Sequence, residues 1–187
     1  DDTIVGWKED FNMGFLPIVP SQREAADYLR AAAAAFPSQK LRAGGHSKGG
    51  NLAVYAAAFC PAALQERIAA VYNNDGPGFA RDMLETPEYL RVADKLHTYI
   101  PESSIVGVLL EHAEDYAVID SANRSVMQHE PMSWNVEGPR FVHLGQRSPM
   151  GKVSDDLLRQ WIGSMTPQER EQLRAFRQRM LENLEGP

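Results

Sequence analysis

The sequence predicts an α/β fold, with a mostly parallel β-sheet flanked by helices. Three observations lead there. Short apolar runs alternate with helical stretches between residues 41 and 100, the pattern of successive right-handed βαβ units. The runs end in loops after Gly44, Tyr72 and Ile100, and open α/β sheets build their sites beyond such strand ends. The bulk chemistry fits a folded domain: 43% of the 187 residues are hydrophobic and 24% charged, close to the average for soluble globular chains.

The elements follow in order. Ser21-Gln22-Arg23-Glu24 reads as a capping box, with Ser21 accepting from the Glu24 amide and Glu24 reaching back. The helix it opens carries the alanine run 31–35 and stops before Pro37. Lys40 to Gly44 is a short strand, ended by glycines. A second helix starts after Ser47, with Leu52, Tyr55, Ala56 and Phe59 at helical spacing. Ile68 to Tyr72 is an apolar strand, followed by the loop Asn73-Asn74-Asp75-Gly76-Pro77-Gly78. Pro87 to Lys95 reads as helix with Pro87 in the first turn. Leu96 to Ile100 reads as strand, and Ser103 to Leu110 as a short helix. Tyr116 to Ile119 is a strand that the turn 121–124 pairs with Val126 to Gln128, and Arg140 to Leu144 adds one more.

The tail reads as helical. One segment begins at Ser154 and runs through Trp161; Thr166-Pro167-Gln168-Glu169 caps another. Leu173, Phe176, Met180 and Leu184 give the latter an apolar stripe, read first as packing on the domain and second as a partner surface. The chain is thus one domain, 1–187, with 151–187 as a helical extension.

Composition excludes several functions. A net charge of −6 gives no electrostatic footprint for nucleic acid or anionic lipid. The single cysteine, Cys60, rules out an intrachain disulfide and a cysteine-rich metal site. A reducing, cytoplasmic compartment is expected. No apolar run reaches the roughly 20 residues of a transmembrane helix, and the first residues lack the basic and apolar regions of a signal peptide. Neither a metal nor a cofactor is expected. The expected partner is a small-molecule or lipid-like acyl substrate, and a homo-oligomer is compatible with the sequence.

The chemistry concentrates at Gly45-His46-Ser47-Lys48-Gly49, a G-x-S-x-G pattern between a strand and a helix. In a nucleophile elbow the serine occupies a strained turn. Side chains at Gly45 and Gly49 are expected to collide there, with Gly44 and Gly50 widening the clearance. The Lys48 amide, next after the serine, is the expected oxyanion donor. The pattern makes the fold α/β-hydrolase-like. The bland alternative is a glycine-rich turn that only joins two elements; a P-loop is disfavoured because G-x-x-x-x-G-K-[ST] is absent.

A serine nucleophile needs a base, and the base an orienting acid. His129, in a loop ending at Pro131, is the leading base and His112 the second. His97 and His143 fall in strands and read as structural. Asp75, just beyond a strand end, is the leading acid, and Glu102 the second; an Asp that merely starts a turn is the bland reading. His46 and Lys48 are expected to point away from the hydroxyl, with the Lys48 ammonium able to meet an anionic substrate group.

Three stretches carry a resemblance: GGHSKGGNLAVYAAA at 44–58, NDGPGF at 74–79 and QHEPMSW at 128–134. Together they resemble a bacterial family of lipase-like α/β-hydrolases of unknown function, distantly similar to class 3 lipases. The likeness covers most of residues 1 to about 145. It implies a Ser-His-Asp hydrolase of acyl esters, carried onto Ser47, His129 and Asp75. Class 3 lipases place the acid near what is here Thr98 to Glu102, where this chain has no Asp. Trp7-Lys8-Glu9-Asp10 looks like the stretch after the lipase F-R-G-T strand, which brings a second oxyanion donor. The resemblance therefore implies a chain lacking the first strands of that fold. The alternative function is an inactive hydrolase-fold domain used for binding or scaffolding.

Overall fold

A computed structural model of the chain describes residues 18–148 and Lys152. Five strands form one sheet in the order β1-β2-β3-β4-β7: β1 Leu41–His46, β2 Ile68–Asn74, β3 Leu96–Pro101, β4 Tyr116–Ile119 and β7 His143–Leu144. The first four run parallel, and β7 pairs antiparallel with β4. β5 Val136–Glu137 and β6 Arg140–Phe141 form a separate antiparallel pair. The expected mostly parallel α/β sheet is present. Segments 154–161 and 166–184 and the 7–10 stretch lie outside the described residues.

Helix α1, Pro20–Ala35, packs on α2, Lys48–Phe59, and α2 lies across β1 and β2. The reason is in the side chains. Leu29 and Ala33 of α1 and Val54, Ala57 and Ala58 of α2 are buried in one core with Ile68 and Val71 of β2. Small residues on α2 let the helix approach closely, and each buried Val, Leu or Ile contributes about 1.5–3 kcal/mol. Short helices α3 Ala62–Gln65, α4 Arg81–Leu84 and α5 Pro87–Leu90 complete the set.

Asn51 ties the layers together. It is fully buried; its Nδ2 donates to the carbonyls of Pro77 and Gly78, both at 3.0 Å, and its Oδ1 accepts from Gln22 Nε2 at 2.8 Å. Gln22 Oε1 in turn accepts from the Val19 amide at 3.0 Å. A buried amide tolerates no lost partner cheaply, so this chain of bonds joins α1, α2 and the loop after β2.

Several sequence expectations shift. α1 begins at Pro20, and the capping side chain is Gln22 on Val19 rather than Glu24 on Ser21; Pro pre-sets the first helical φ. The 87–95 helix is broken: α5 ends at Leu90 and a 3₁₀ turn spans Ala93–Lys95. The 103–110 helix shrinks to a 3₁₀ turn, Val106–Val108, because the Gly107 amide is given to a side chain, as described below. Val126 to Gln128 is not a strand but part of the 3₁₀ turn Ser125–His129. Side-chain bonds claim its backbone: Asn123 Nδ2 donates to the Met127 carbonyl at 3.0 Å.

Candidate active site

The parallel register sets the site. His46 stands opposite Asn74, so β1 and β2 end side by side and the next residues, Ser47 and Asp75, leave the sheet together. Ser47 has φ 57° and ψ −131°, and Asp75 φ 53°, both in the left-handed half of φ space that L-residues rarely occupy. Each turn is pinned from the neighbouring strand: the Ser47 amide donates to Asn74 O at 2.9 Å and the Asp75 amide to Tyr99 O at 2.8 Å.

Glycine sterics explain the elbow only in part. A Cβ at Gly45 would overlap the Gly49 backbone, and one at Gly50 would overlap Asn73 Oδ1. At Gly49 a Cβ would meet nothing within 4 Å. The expected collision at Gly49 is therefore corrected: the crowding bears on Gly45 and Gly50, where strand, helix and the Asn73 side chain converge.

His129 closes the arrangement from the 3₁₀ turn Ser125–His129. Its Nε2 lies 2.9 Å from Ser47 Oγ, and its Nδ1 lies 2.7 Å from Asp75 Oδ2. The Asp75 carboxylate is fully buried, a costly place for a charge without partners. Three donors surround it: His129 Nδ1, Ser104 Oγ at 2.6 Å to Oδ2, and the Gly107 amide at 3.1 Å to Oδ1. An ionised carboxylate only accepts. It therefore holds the proton of neutral His129 on Nδ1 and leaves Nε2 as acceptor toward the Ser47 hydroxyl.

A family model described as Mbeg1-like matches residues 1–176. The chain belongs to the Mbeg1-like family. This is a lipase-like family of unknown function. No curated protein matches the chain.

In this Mbeg1-like chain the second-choice residues are occupied elsewhere. His112 Nε2 donates to Gly107 O at 2.6 Å, and its Nδ1 lies 3.4 Å from Glu114 Oε1. With His129 Nδ1–H given to Asp75, Glu102 has no share in that contact; its backbone carbonyl accepts from Ser148 N at 3.1 Å. His97 stacks on Tyr72 at 5.2 Å, and His143 lies 6.1 Å from the Tyr99 ring. Lys48 is the first residue of α2. Its amide therefore belongs to the first turn of the helix. Among the described residues no group of three or more His, Cys, Asp or Glu is placed to hold a metal ion, and no helix is long and apolar enough to cross a membrane.

Three features escape a sequence reading. His46 was expected to point away from the Ser47 hydroxyl. In the structure its ring lies against His129, with centroids 4.5 Å apart. His46 still belongs to β1; what meets its ring is a turn distant in the sequence, which no pattern local to His46 reveals. Ser104 and Gly107 were not singled out at all. They are small loop residues without a motif, and only folding brings them to Asp75. A Cβ at Gly107 would overlap Asp75 Oδ1, so glycine is what lets that amide approach.

Beneath this loop lies a second buried carboxylate, Glu114. Tyr89 Oη donates to it at 2.8 Å, Thr98 Oγ1 also donates to it, and His112 faces it. Burial works against its ionisation most strongly. The hydrogen bond and charge of His112, with the bond from Thr98, outweigh this and hold its carboxyl at about 2. Burial, and then the charge of Glu114, push the Tyr89 phenol well above its ordinary value.

Proposed function

We propose that this chain is a serine hydrolase of acyl esters, with an α/β-hydrolase fold. The single observation that carries the reading is the continuous contact Ser47 Oγ–His129 Nε2–Asp75, at 2.9 and 2.7 Å. Ser47 Oγ attacks the acyl carbonyl carbon while His129 Nε2 takes the hydroxyl proton. Asp75 stabilises the imidazolium that forms. The Lys48 N–H faces the developing oxyanion at the start of α2, where the helix dipole favours negative charge. His129 then returns the proton to the leaving alcohol oxygen. A water, activated by the same histidine, cleaves the acyl-enzyme and regenerates Ser47. The lipase-like family supports an ester, and a lipid-like acyl group, as the substrate class.

A binding or scaffold domain would not need these three side chains within hydrogen-bond reach of one another, and it has no observation in its favour. The test is covalent labelling. A fluorophosphonate probe should modify the folded chain at Ser47, and Ser47→Ala should abolish both labelling and turnover of short-chain aryl esters, by at least about 10⁴-fold. Labelling that persists in Ser47→Ala would remove Ser47 as nucleophile.

A further inference from the structure

His46 is the titratable group beside Ser47 that the acyl-transfer chemistry leaves unused. It ends β1, one residue before the nucleophile. Its Nε2–H donates to the backbone carbonyl of His129 at 2.7 Å. Its ring lies 4.5 Å from the His129 ring, tilted by 38°. Trp134 meets His46 edge-on at 5.8 Å, and its own Nε1–H donates to the Gln128 carbonyl at 2.7 Å. Two consecutive carbonyls of the turn that carries the base are thus gripped by donors from outside it. The turn needs such anchors, because it begins at Ser125 with a strained φ of 54°.

We propose that His46 is a positioning residue for His129, fixing its backbone and one face of its ring so that Nε2 meets the Ser47 hydroxyl. This rests on the reading of His129 as the general base. The anchor itself is insensitive to protonation: Nε2 donates in both forms, and a second proton goes to Nδ1. The electrostatics are not. The titratable groups acting on His46 are His129, Asp75 and Glu130, with neutral Trp134 packed alongside. Burial is the largest influence and holds the His46 imidazole below its ordinary value; the neighbouring His129 adds to this, while the bond to the His129 carbonyl, Asp75 and Glu130 oppose it. His46 is therefore neutral while His129 works.

The test combines kinetics and variant structures on the full chain. His46→Gln keeps a side-chain donor without a titrating ring; His46→Phe keeps a ring without a donor. At pH 8 the Gln variant should stay within about threefold of wild type, and the Phe variant should lose on the order of 100-fold in kcat with KM little changed. Wild-type kcat in His46→Phe would overturn the proposal. Should the wild-type chain turn over no ester and take no fluorophosphonate, the hydrolase reading fails by itself. The position of His129 then decides alone: a crystal structure of His46→Phe in which His129 Nε2 has left hydrogen-bond reach of Ser47 Oγ supports the proposal, and one in which it has not overturns it.

Discussion

At the residue scale, the arrangement depends on which atom carries a proton. Asp75 is acceptor-only and fully buried, and that forces the His129 tautomer. Asp75→Asn is nearly isosteric, but its amide would donate toward His129 Nδ1. The imidazole would then carry its proton on Nε2, where it cannot receive one from Ser47. We expect ester turnover to fall about 10⁴-fold with little change in KM, as steady-state kinetics would show; retention of most activity would mean Asp75 has no orienting role. This residue was readable beforehand as the leading acid, because it follows a strand end in a Gly/Pro loop. Glu102 could not be set aside from the sequence, since it too follows a strand. The distinction rests on the 54 residues separating Asp75 from His129, which no local pattern spans.

At the element scale, the start of α2 combines helix and crowding. Gly49 and Gly50 look alike in the sequence but have opposite surroundings. Gly49→Ala places a methyl in open space and lowers the entropy of the unfolded chain. It should leave stability unchanged or raise it by about 0.5–1 kcal/mol. Gly50→Ala drives a methyl into Asn73 Oδ1, the atom that accepts from the Gly76 amide at 3.0 Å. Losing that buried bond should cost about 1–3 kcal/mol. Urea denaturation of the two variants gives both values, and equal effects would mean the elbow repacks freely. Strand and helix placement around this junction was legible from period and glycine position. The 126–128 and 140–144 strands were less so. The chain from 140 to 144 divides between two partners, β6 with β5 and β7 with β4, and a run of five residues cannot show that division.

At the scale of the whole molecule, stability and site share a buried charge network. Glu114 joins Tyr89, Thr98 of β3 and His112, and His112 in turn holds the Gly107 carbonyl. The folded-state carboxyl sits at about 2, below its ordinary value of 4.5. Folding therefore gains from this group above about pH 4.5 and loses that gain as pH falls toward 2. The lowered value corresponds to a contribution on the order of 3 kcal/mol at neutral pH. Thermal melts from pH 7 to 3 should show Tm falling below about pH 4.5, with a smaller fall in Glu114→Gln. Identical pH slopes for the two proteins would assign the acid sensitivity elsewhere.

The sequence by itself determined the local devices: the G-x-S-x-G turn with Ser47 at its apex, and the strand–helix alternation that puts loops at one end of a parallel sheet. These depend on φ limits, glycine volume and side-chain period, all of which act within a few residues. Tertiary structure decided the partners. His129 lies 82 residues from Ser47 in the chain, and only the paired ends of β1 and β2 bring the hydroxyl, carboxylate and imidazole within hydrogen-bond distance. It also set the His46 ring against His129, because His129 arrives on a turn 83 residues further along the chain, which no pattern local to His46 registers.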